Sequence, residues 1–144
     1  MVLAVSRPRT SGLGITWDLV WVGDCQAWLV DDNQLTPLTT PHTQGQWMRD
    51  LGMPENVAAG SDNIVLTTVG TADPSEFGTT TTTTASGRLA LTSDGVGMTL
   101  KPAELLETLS QIDSPQRCAQ RLVELGAAHP TADNSTALVI DTRA

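Results

Sequence analysis

This 144-residue chain has few basic residues, few aromatic residues and little cysteine. Eight Lys and Arg stand against sixteen Asp and Glu, which gives a net charge of -8 at pH 7. So few cations leave no basic stripe to neutralise phosphates, and the composition argues against direct nucleic-acid binding. An acidic total is compatible with cation binding, although solubility is the commoner reason for it.

The cysteines and the hydrophobic runs argue against further classes of protein. Cys25 and Cys118 form no C-x-x-C pair, so neither a zinc knuckle nor a redox pair is indicated, and we expect buried free thiols. The sequence contains no run of about eighteen apolar residues, the length that a membrane-spanning helix needs. Residues 1–5 are too short for a signal-peptide core, and Arg7 and Arg9 stand on the wrong side of them. We therefore expect a cytoplasmic protein without a membrane partner.

The size of the chain suits one folded domain. Hydrophobic residues make up 40% of it and charged residues 17%, a balance typical of a folded protein. The length is enough for one hydrophobic core but not for two, and no linker divides the sequence. We expect a single domain over residues 1–144, with strands and helices in separate regions.

Alternation of apolar and polar residues predicts strands in the first two thirds of the chain. Residues 15–22 place Ile15, Trp17, Leu19 and Trp21 on one face. Strands over residues 2–5, 26–30 and 34–38 complete an antiparallel meander, with a loop over residues 8–14 and a hairpin turn at residues 31–33. A further strand is expected over residues 63–69. The six threonines of residues 79–84 are either a flexible linker or a strand. We favour a strand, because threonine is β-branched, in a hairpin whose second strand contains Leu89 and Leu91 and ends at residues 93–95.

Helical spacing appears at residues 44–51 and again after Gly95. One later helix is expected from Pro102 to near Ile112. A second starts at Pro115 with Ser114 as its N-cap, and a final strand over residues 136–140 follows. The four tryptophans (Trp17, Trp21, Trp28 and Trp47) are interpreted as core, with an interface patch as the alternative.

Three aspartates stand where a predicted strand stops or is about to start: Asp24, Asp94 and Asp133. Carboxylates at strand ends can converge on one rim of a sheet, and Mg²⁺ or Mn²⁺ requires such oxygen ligands. Each is also an ordinary turn residue beside Gly or Asn. No G-x-S-x-G elbow, Walker loop or dinucleotide fingerprint competes with a metal site. His42 and His129 are expected to be solvated or locally bonded rather than general acids.

Four motifs in order resemble the PPM (type 2C) family of metal-dependent serine/threonine protein phosphatases. They read WVGDCQAW at residues 21–28, LTPLTTPHT at 35–43, RLALTSDGV at 88–96 and ADNST at 132–136. The resemblance covers nearly the whole chain and is to the C-terminal portion of that domain. It implies an α+β fold, a β-sandwich of mainly antiparallel strands with flanking helices. It also implies a site for Mg²⁺ or Mn²⁺ and a phosphoserine or phosphothreonine protein as substrate.

Under this resemblance, Asp94 and Asp133 match ligands of one core metal, and Asp24 matches a residue of an additional, weaker metal position. Asp94 has a second interpretation, because residues 94–98 also approximate the family's earlier D-G-x-G-G segment and would then contain its bridging aspartate. The glycines there are compatible with a tight turn alone.

The sequence also departs from the family's pattern. Cys25 and Gln26 replace a serine and an arginine, and Pro41 replaces an aspartate. The family's phosphate-gripping arginine, the acidic ligand beside it and the D-G-x-G-G segment have no counterpart before these motifs. The catalytic residues are therefore unknown, and we expect the chain to be inactive alone. Three hypotheses follow: part of a phosphatase, a pseudophosphatase binding module, or an unrelated α+β domain. Self-association or a complementing chain would cover the exposed sheet edges.

Overall fold

The computed structural model describes residues 1–8, 14–130 and 133–142. Within these residues the strands are β1 (Val2–Pro8), β2 (Ile15–Trp21), β3 (Gln26–Asp31), β4 (Gln34–Pro37), β5 (Gly78–Thr84), β6 (Arg88–Thr92) and β7 (Ala137–Asp141). The helices are α1 (Gln44–Asp50), α2 (Glu55–Ala58), α3 (Asp94–Gly97), α4 (Pro102–Gln111) and α5 (Pro115–Ala127), with short 3₁₀ turns at Ala59–Ser61 and Pro74–Glu76. Most of the predicted loop over residues 8–14 lies outside the described residues, as does Ala132 of the closing motif.

The strands form two antiparallel sheets. The first has the order β1-β2-β5 and the second the order β4-β3-β6-β7. Trp17 and Leu19 of the first sheet pack with Ala27 and Leu89 of the second. The other face of the second sheet packs on the helices through a larger cluster of buried side chains, including those of α4 and α5. The predicted fold class, antiparallel sheets with flanking helices, is confirmed.

The predicted meander is wrong in one respect, because β2 and β3 belong to different sheets. Gly23 lies between them with φ +85°, a backbone conformation that side-chain-bearing residues rarely adopt. The chain turns there and leaves the first sheet for the second. The turn between β3 and β4 was predicted correctly, since Asp32 and Asn33 both have positive φ (46° and 60°), as a two-residue hairpin turn requires.

The threonine run forms strand β5, as predicted, but the predicted hairpin with the strand that contains Leu89 and Leu91 is wrong. β5 pairs with β2, from Ile15 opposite Thr84 to Trp21 opposite Gly78. β6 pairs instead with β3 and β7 in the other sheet. Period-two alternation shows which residues share a face, but it does not show which strand is the neighbour.

The strand predicted over residues 63–69 is also wrong. This segment makes a single bridge, between Thr43 and Val65. A longer ladder cannot form there because the opposite segment turns into helix α1 immediately after Thr43. The apolar side chains of Ile64, Leu66 and Val69 are consequently exposed.

Three of the four tryptophans are core residues, as predicted: Trp17, Trp21 and Trp28. Trp47 is not, because 53% of it is exposed on helix α1. The expectation for the thiols is met at Cys118, which is buried, and only partly at Cys25, which is half-buried; both are free. No helix among the described residues is long and apolar enough to cross a membrane.

The late helices agree with the sequence pattern. α4 begins at Pro102 and buries Leu105 and Leu109. α5 begins at Pro115, and the Ser114 hydroxyl accepts a hydrogen bond from the Arg117 N–H at 3.4 Å. These two helices lie between the loop that carries Asp94 and the loop that carries Asp133.

Candidate metal centre

The three predicted aspartates come from three different connections of the fold. Asp24 follows β2 in the crossing to the second sheet, Asp94 follows β6 as the first residue of α3, and Asp133 precedes β7. All three line one cleft of about 500 Å³. Ala59, Asp62, Asn63, Gly95, Met98 and Thr99 line it as well. The tertiary structure therefore brings together every residue of the predicted metal set.

Two serines hold the Asp94 loop against the Asp133 loop. The Ser93 hydroxyl donates to the Asn134 carbonyl at 3.0 Å and accepts from the Thr136 N–H at 3.0 Å. From the other side, the Ser135 hydroxyl donates to the Gly95 carbonyl at 3.1 Å. These bonds extend the β6–β7 pairing past the end of the ladder, and they bring the two aspartates to the same rim.

Gly95 permits this close approach. A Cβ placed on it would lie 2.7 Å from the Asn134 carbonyl oxygen and 3.0 Å from that of Asp133. Both obstacles are backbone, so no side chain could move aside. This contact supports a local structural role for the glycine of the S-D-G segment, independent of any bound ligand.

The carboxylates repel one another across the cleft. Burial, followed by the negative charges of Asp24 and Asp133, raises the pKa of Asp94, against the N–H of Gly95, which lowers it. The Asp133 Oδ1 accepts from the N–H of Asn134 at 2.6 Å. Among the described residues, no salt bridge reaches these three carboxylates. Negative charge is thus concentrated here, and no Lys or Arg of the described part of the chain is paired with these three carboxylates.

A fourth carboxylate lines the cleft but already has an arginine partner. Asp62 receives two hydrogen bonds from Arg49, at 2.5 Å and 2.7 Å. Arg49 also binds both carboxylate oxygens of Glu55, at 2.8 Å and 2.7 Å. Sequence reasoning missed Asp62 and its neighbour Asn63, because nothing in the pattern of residues 54–63 indicates that this connection folds back onto the cleft.

The loop of Asp24 is held by His42. The N–H of His42 donates to the Gly23 carbonyl at 2.9 Å, and its Nδ1 accepts from the Gly23 N–H at 3.4 Å. Burial lowers the pKa of His42, against the charge of Glu76, which raises it. His42 is therefore locally hydrogen-bonded, in agreement with the expectation from the sequence.

One departure from the family motif contacts a residue that lines the cleft. Gln26 stands where the family has arginine, and its side-chain amide donates to the Met98 sulfur at 3.2 Å. Its Oε1 is buried without a hydrogen-bond partner among the described residues. Because Gln26 is uncharged, it does not offset the negative charge of the cleft.

The residues present suit part of a divalent-cation site. Carboxylate oxygens converge, they carry unbalanced charge, and they are the hard ligands that Mg²⁺ and Mn²⁺ prefer. The set is nevertheless open: within residues 1–8, 14–130 and 133–142, no three His, Cys, Asp or Glu side chains form a group that could hold a metal ion. Completing such a site requires further oxygen ligands or movement of the carboxylates.

Comparison with known proteins points to one family. No family model matches the chain. A serine/threonine phosphatase of Mycobacterium tuberculosis, PstP/Ppp, superposes with a TM-score of 0.79 and 28% identity over 90% of this chain and 56% of that one. The catalytic domain of the phosphatase PstP in complex with two manganese ions gives 0.77 and 27%, over 98% of this chain and 59% of that one.

A curated relative agrees over a shorter stretch. The mitochondrial protein phosphatase 1K of Xenopus laevis is 37% identical over 57 residues, which is 40% of this chain and 15% of that protein. The chain thus spans little more than half the length of the solved structures it matches. Its fold is that of the PPM-type serine/threonine phosphatases, and the resemblance seen in the four motifs is confirmed.

Proposed function

We propose that this chain forms the C-terminal portion of a metal-dependent serine/threonine protein phosphatase domain. In this proposal Asp94 and Asp133 hold Mg²⁺ or Mn²⁺, and Asp24 contributes to an additional, weaker metal position. The observation that carries it is the convergence of these three carboxylates, from three separate connections of the fold, on one cleft where no described Lys or Arg is paired with them. The manganese-bound structure with the same fold supports the choice of metal.

The chemistry proposed is hydrolysis of phosphoserine or phosphothreonine in a protein. A divalent ion bound at such a site lowers the pKa of a coordinated water and makes it a nucleophile at neutral pH. Asp94 and Asp133 would hold the ion, and Asp24 would add negative charge beside it. The Ser93 and Ser135 hydrogen bonds would keep Asp94 and Asp133 on one rim.

The second candidate is a pseudophosphatase, a binding module with this fold and no catalysis. It is favoured by the lack of any complete metal-holding group among the described residues and by Gln26 in place of the family's arginine. Both candidates share one expectation: the chain alone hydrolyses phosphopeptides negligibly, because its carboxylates lack a bridging partner.

Calorimetric titration with Mn²⁺ tests the metal site. We expect weak binding that is lost in Asp94→Asn and in Asp133→Asn. Glu107→Gln, at an exposed position of helix α4, removes one charge outside the cleft and should leave the titration unchanged. A submicromolar affinity, or binding that survives both aspartate substitutions, would contradict this assignment of ligands.

Turnover separates the two candidates. With a phosphothreonine peptide and Mn²⁺, the chain alone should release phosphate no faster than buffer does. Robust release that Asp94→Ala abolishes would show that the chain is an active enzyme, and the expectation of inactivity would then be wrong. Activity that appears only when a second polypeptide is supplied would support the phosphatase candidate over the pseudophosphatase.

A complementing chain or a second copy is the proposed partner of the first sheet. Its edge strand β1 exposes 54% of Leu3 and 61% of Val5, and apolar side chains on an open edge promote association. Sedimentation velocity over a range of concentrations should detect it. A monomer at every concentration would argue against self-association. The single domain over residues 1–144 and the cytoplasmic location stay predictions.

A further inference from the structure

A second cavity, of about 360 Å³, lies beside the metal cleft. Its walls include Pro41, His42, Trp47, Asp50, Leu66 and Glu76, and we call it the Trp47 groove. Helix α1 connects the two cavities: Trp47 and Asp50 line the groove, and Arg49 of the same helix binds Asp62, which lines the cleft. The two sites are therefore linked through one short helix.

Apolar surface in this groove is unusually exposed. Trp47 is 53% exposed and Leu66 52%. The chain's other tryptophans are each less than 10% exposed. A large exposed aromatic side chain beside a concave surface is a common feature of binding sites.

The charges facing the groove are of one sign. Asp50 accepts a hydrogen bond from the Gln46 side chain at 2.9 Å through Oδ1, and Glu76 accepts one from the Asp73 N–H at 2.8 Å through Oε2. No donor reaches the second oxygen of either carboxylate from the part of the chain that the structure describes. Both carboxylates are exposed, so each can accept a further charged hydrogen bond.

Two cations near the groove wall are engaged elsewhere. Arg49 is bound to Glu55 and Asp62. The amino group of Met1, whose charge acts on His42, donates to the Val22 carbonyl at 2.6 Å. Among the residues that the structure describes, the groove is thus lined by a half-exposed indole and two carboxylates and by no Lys or Arg side chain.

We propose that the Trp47 groove holds a lysine or arginine side chain of the phosphoprotein substrate. The cation would lie against the indole face of Trp47, while Asp50 and Glu76 bind its N–H groups. The inference rests on the proposed function for the identity of the partner. It adds a preference for basic residues near the phosphorylated one.

The position of the groove explains why the basic residue would be near in sequence. His42 of the groove wall is hydrogen-bonded to Gly23, and Asp24 of the metal cleft is the next residue along the chain. An extended peptide advances about 3.3 Å per residue. A peptide whose phosphate reaches the cleft would thus pass the groove within a few residues.

Binding can be measured on the whole chain without turnover. The probes are four synthetic peptides of one sequence, with arginine or its uncharged analogue citrulline, each with threonine or phosphothreonine. The indole N–H resonance of Trp47, assigned with Trp47→Phe, reports occupancy in a two-dimensional NMR titration. We expect both arginine peptides to shift that resonance and both citrulline peptides to bind about threefold to tenfold more weakly.

Charge substitutions supply the matched variants. Asp50→Asn combined with Glu76→Gln should weaken the arginine peptides by a similar factor and leave the citrulline peptides unchanged. Glu107→Gln, which alters charge outside the groove, should have no effect. Among the peptides without phosphate, raising the salt concentration should weaken only the arginine peptide. NMR spectra of each variant show whether its fold is intact.

Three outcomes would overturn the inference. They are equal binding of arginine and citrulline peptides, shifts confined to the buried tryptophans, and a dimer in which Trp47 is shielded from added peptide. The same titrations test the proposed function independently of the groove. If phosphate and Mn²⁺ add nothing while arginine dependence remains, the groove assignment stands and the phosphatase assignment does not. Dependence on phosphate without dependence on arginine gives the reverse result.

Discussion

Arg88 should be a major contributor to the stability of the strands that carry the candidate site. It begins β6, which leads to Asp94, and it lies opposite Asp141 at the end of β7, which follows Asp133. Its guanidinium binds Asp141 at 2.6 Å. It also donates to the carbonyls of residues 109, 112 and 113 at the end of helix α4, at 2.7, 2.5 and 2.7 Å.

The expected cost of Arg88→Met follows from these contacts. The side chain of Arg88 is only 12% exposed and that of Asp141 17%, so the pair is largely removed from water. Loss of one partner of a buried ion pair costs about 3–5 kcal/mol. Water can reach the freed carbonyls at the helix end, which favours the lower limit. We therefore expect a loss of about 3 kcal/mol, or roughly 10 °C in melting temperature.

Urea denaturation followed by tryptophan fluorescence measures this loss. The slope of the transition should stay the same while its midpoint falls. Arg117→Met, at an exposed position of helix α5, is the matched control and should change stability by less than about 0.5 kcal/mol. A loss below about 1 kcal/mol for Arg88→Met would refute the view that this arginine ties helix α4 to the second sheet.

Two further predictions concern the cleft and the thiols. Gly95→Ala should destabilise the chain by about 1–3 kcal/mol, because the new Cβ would meet the carbonyl of Asn134. Gly60→Ala places its Cβ in open space and should be tolerated. Thermal unfolding measures both variants, and equal stability would contradict the prediction. Burial raises the pKa of the Cys118 thiol, so an alkylating reagent should modify half-buried Cys25 first and Cys118 only on unfolding. Mass spectrometry measures the alkylation rate at each cysteine, and equal rates at Cys25 and Cys118 would contradict the prediction.

Strand positions could be predicted because the pattern that specifies them is local. Trp17 and Leu19 alternate with polar residues, and the buried face of β2 follows from that alternation. Sheet membership could not be predicted in the same way. The exit of the chain at Gly23 and the pairing of β5 with β2 depend on contacts between distant residues.

The candidate site was predictable in part. Asp94 and Asp133 stand beside turn residues at the ends of predicted strands, and the order of four motifs identified them. Asp62 carried no such signal, since the connection that brings it to the cleft and to Arg49 has no recognisable pattern in the sequence. Trp47 was assigned to the core by composition alone, and the structure exposes it because helix α1 lies at the surface.

The sequence by itself determined the positions of most strands, the two late helices and the loops that carry Asp24, Asp94 and Asp133. These features follow from side-chain periodicity and turn chemistry, which act over a few residues. Only the tertiary structure decided which strands pair, which carboxylates share a cleft and which tryptophan faces solvent. Those outcomes depend on packing between segments far apart in the chain, and no local pattern records such packing.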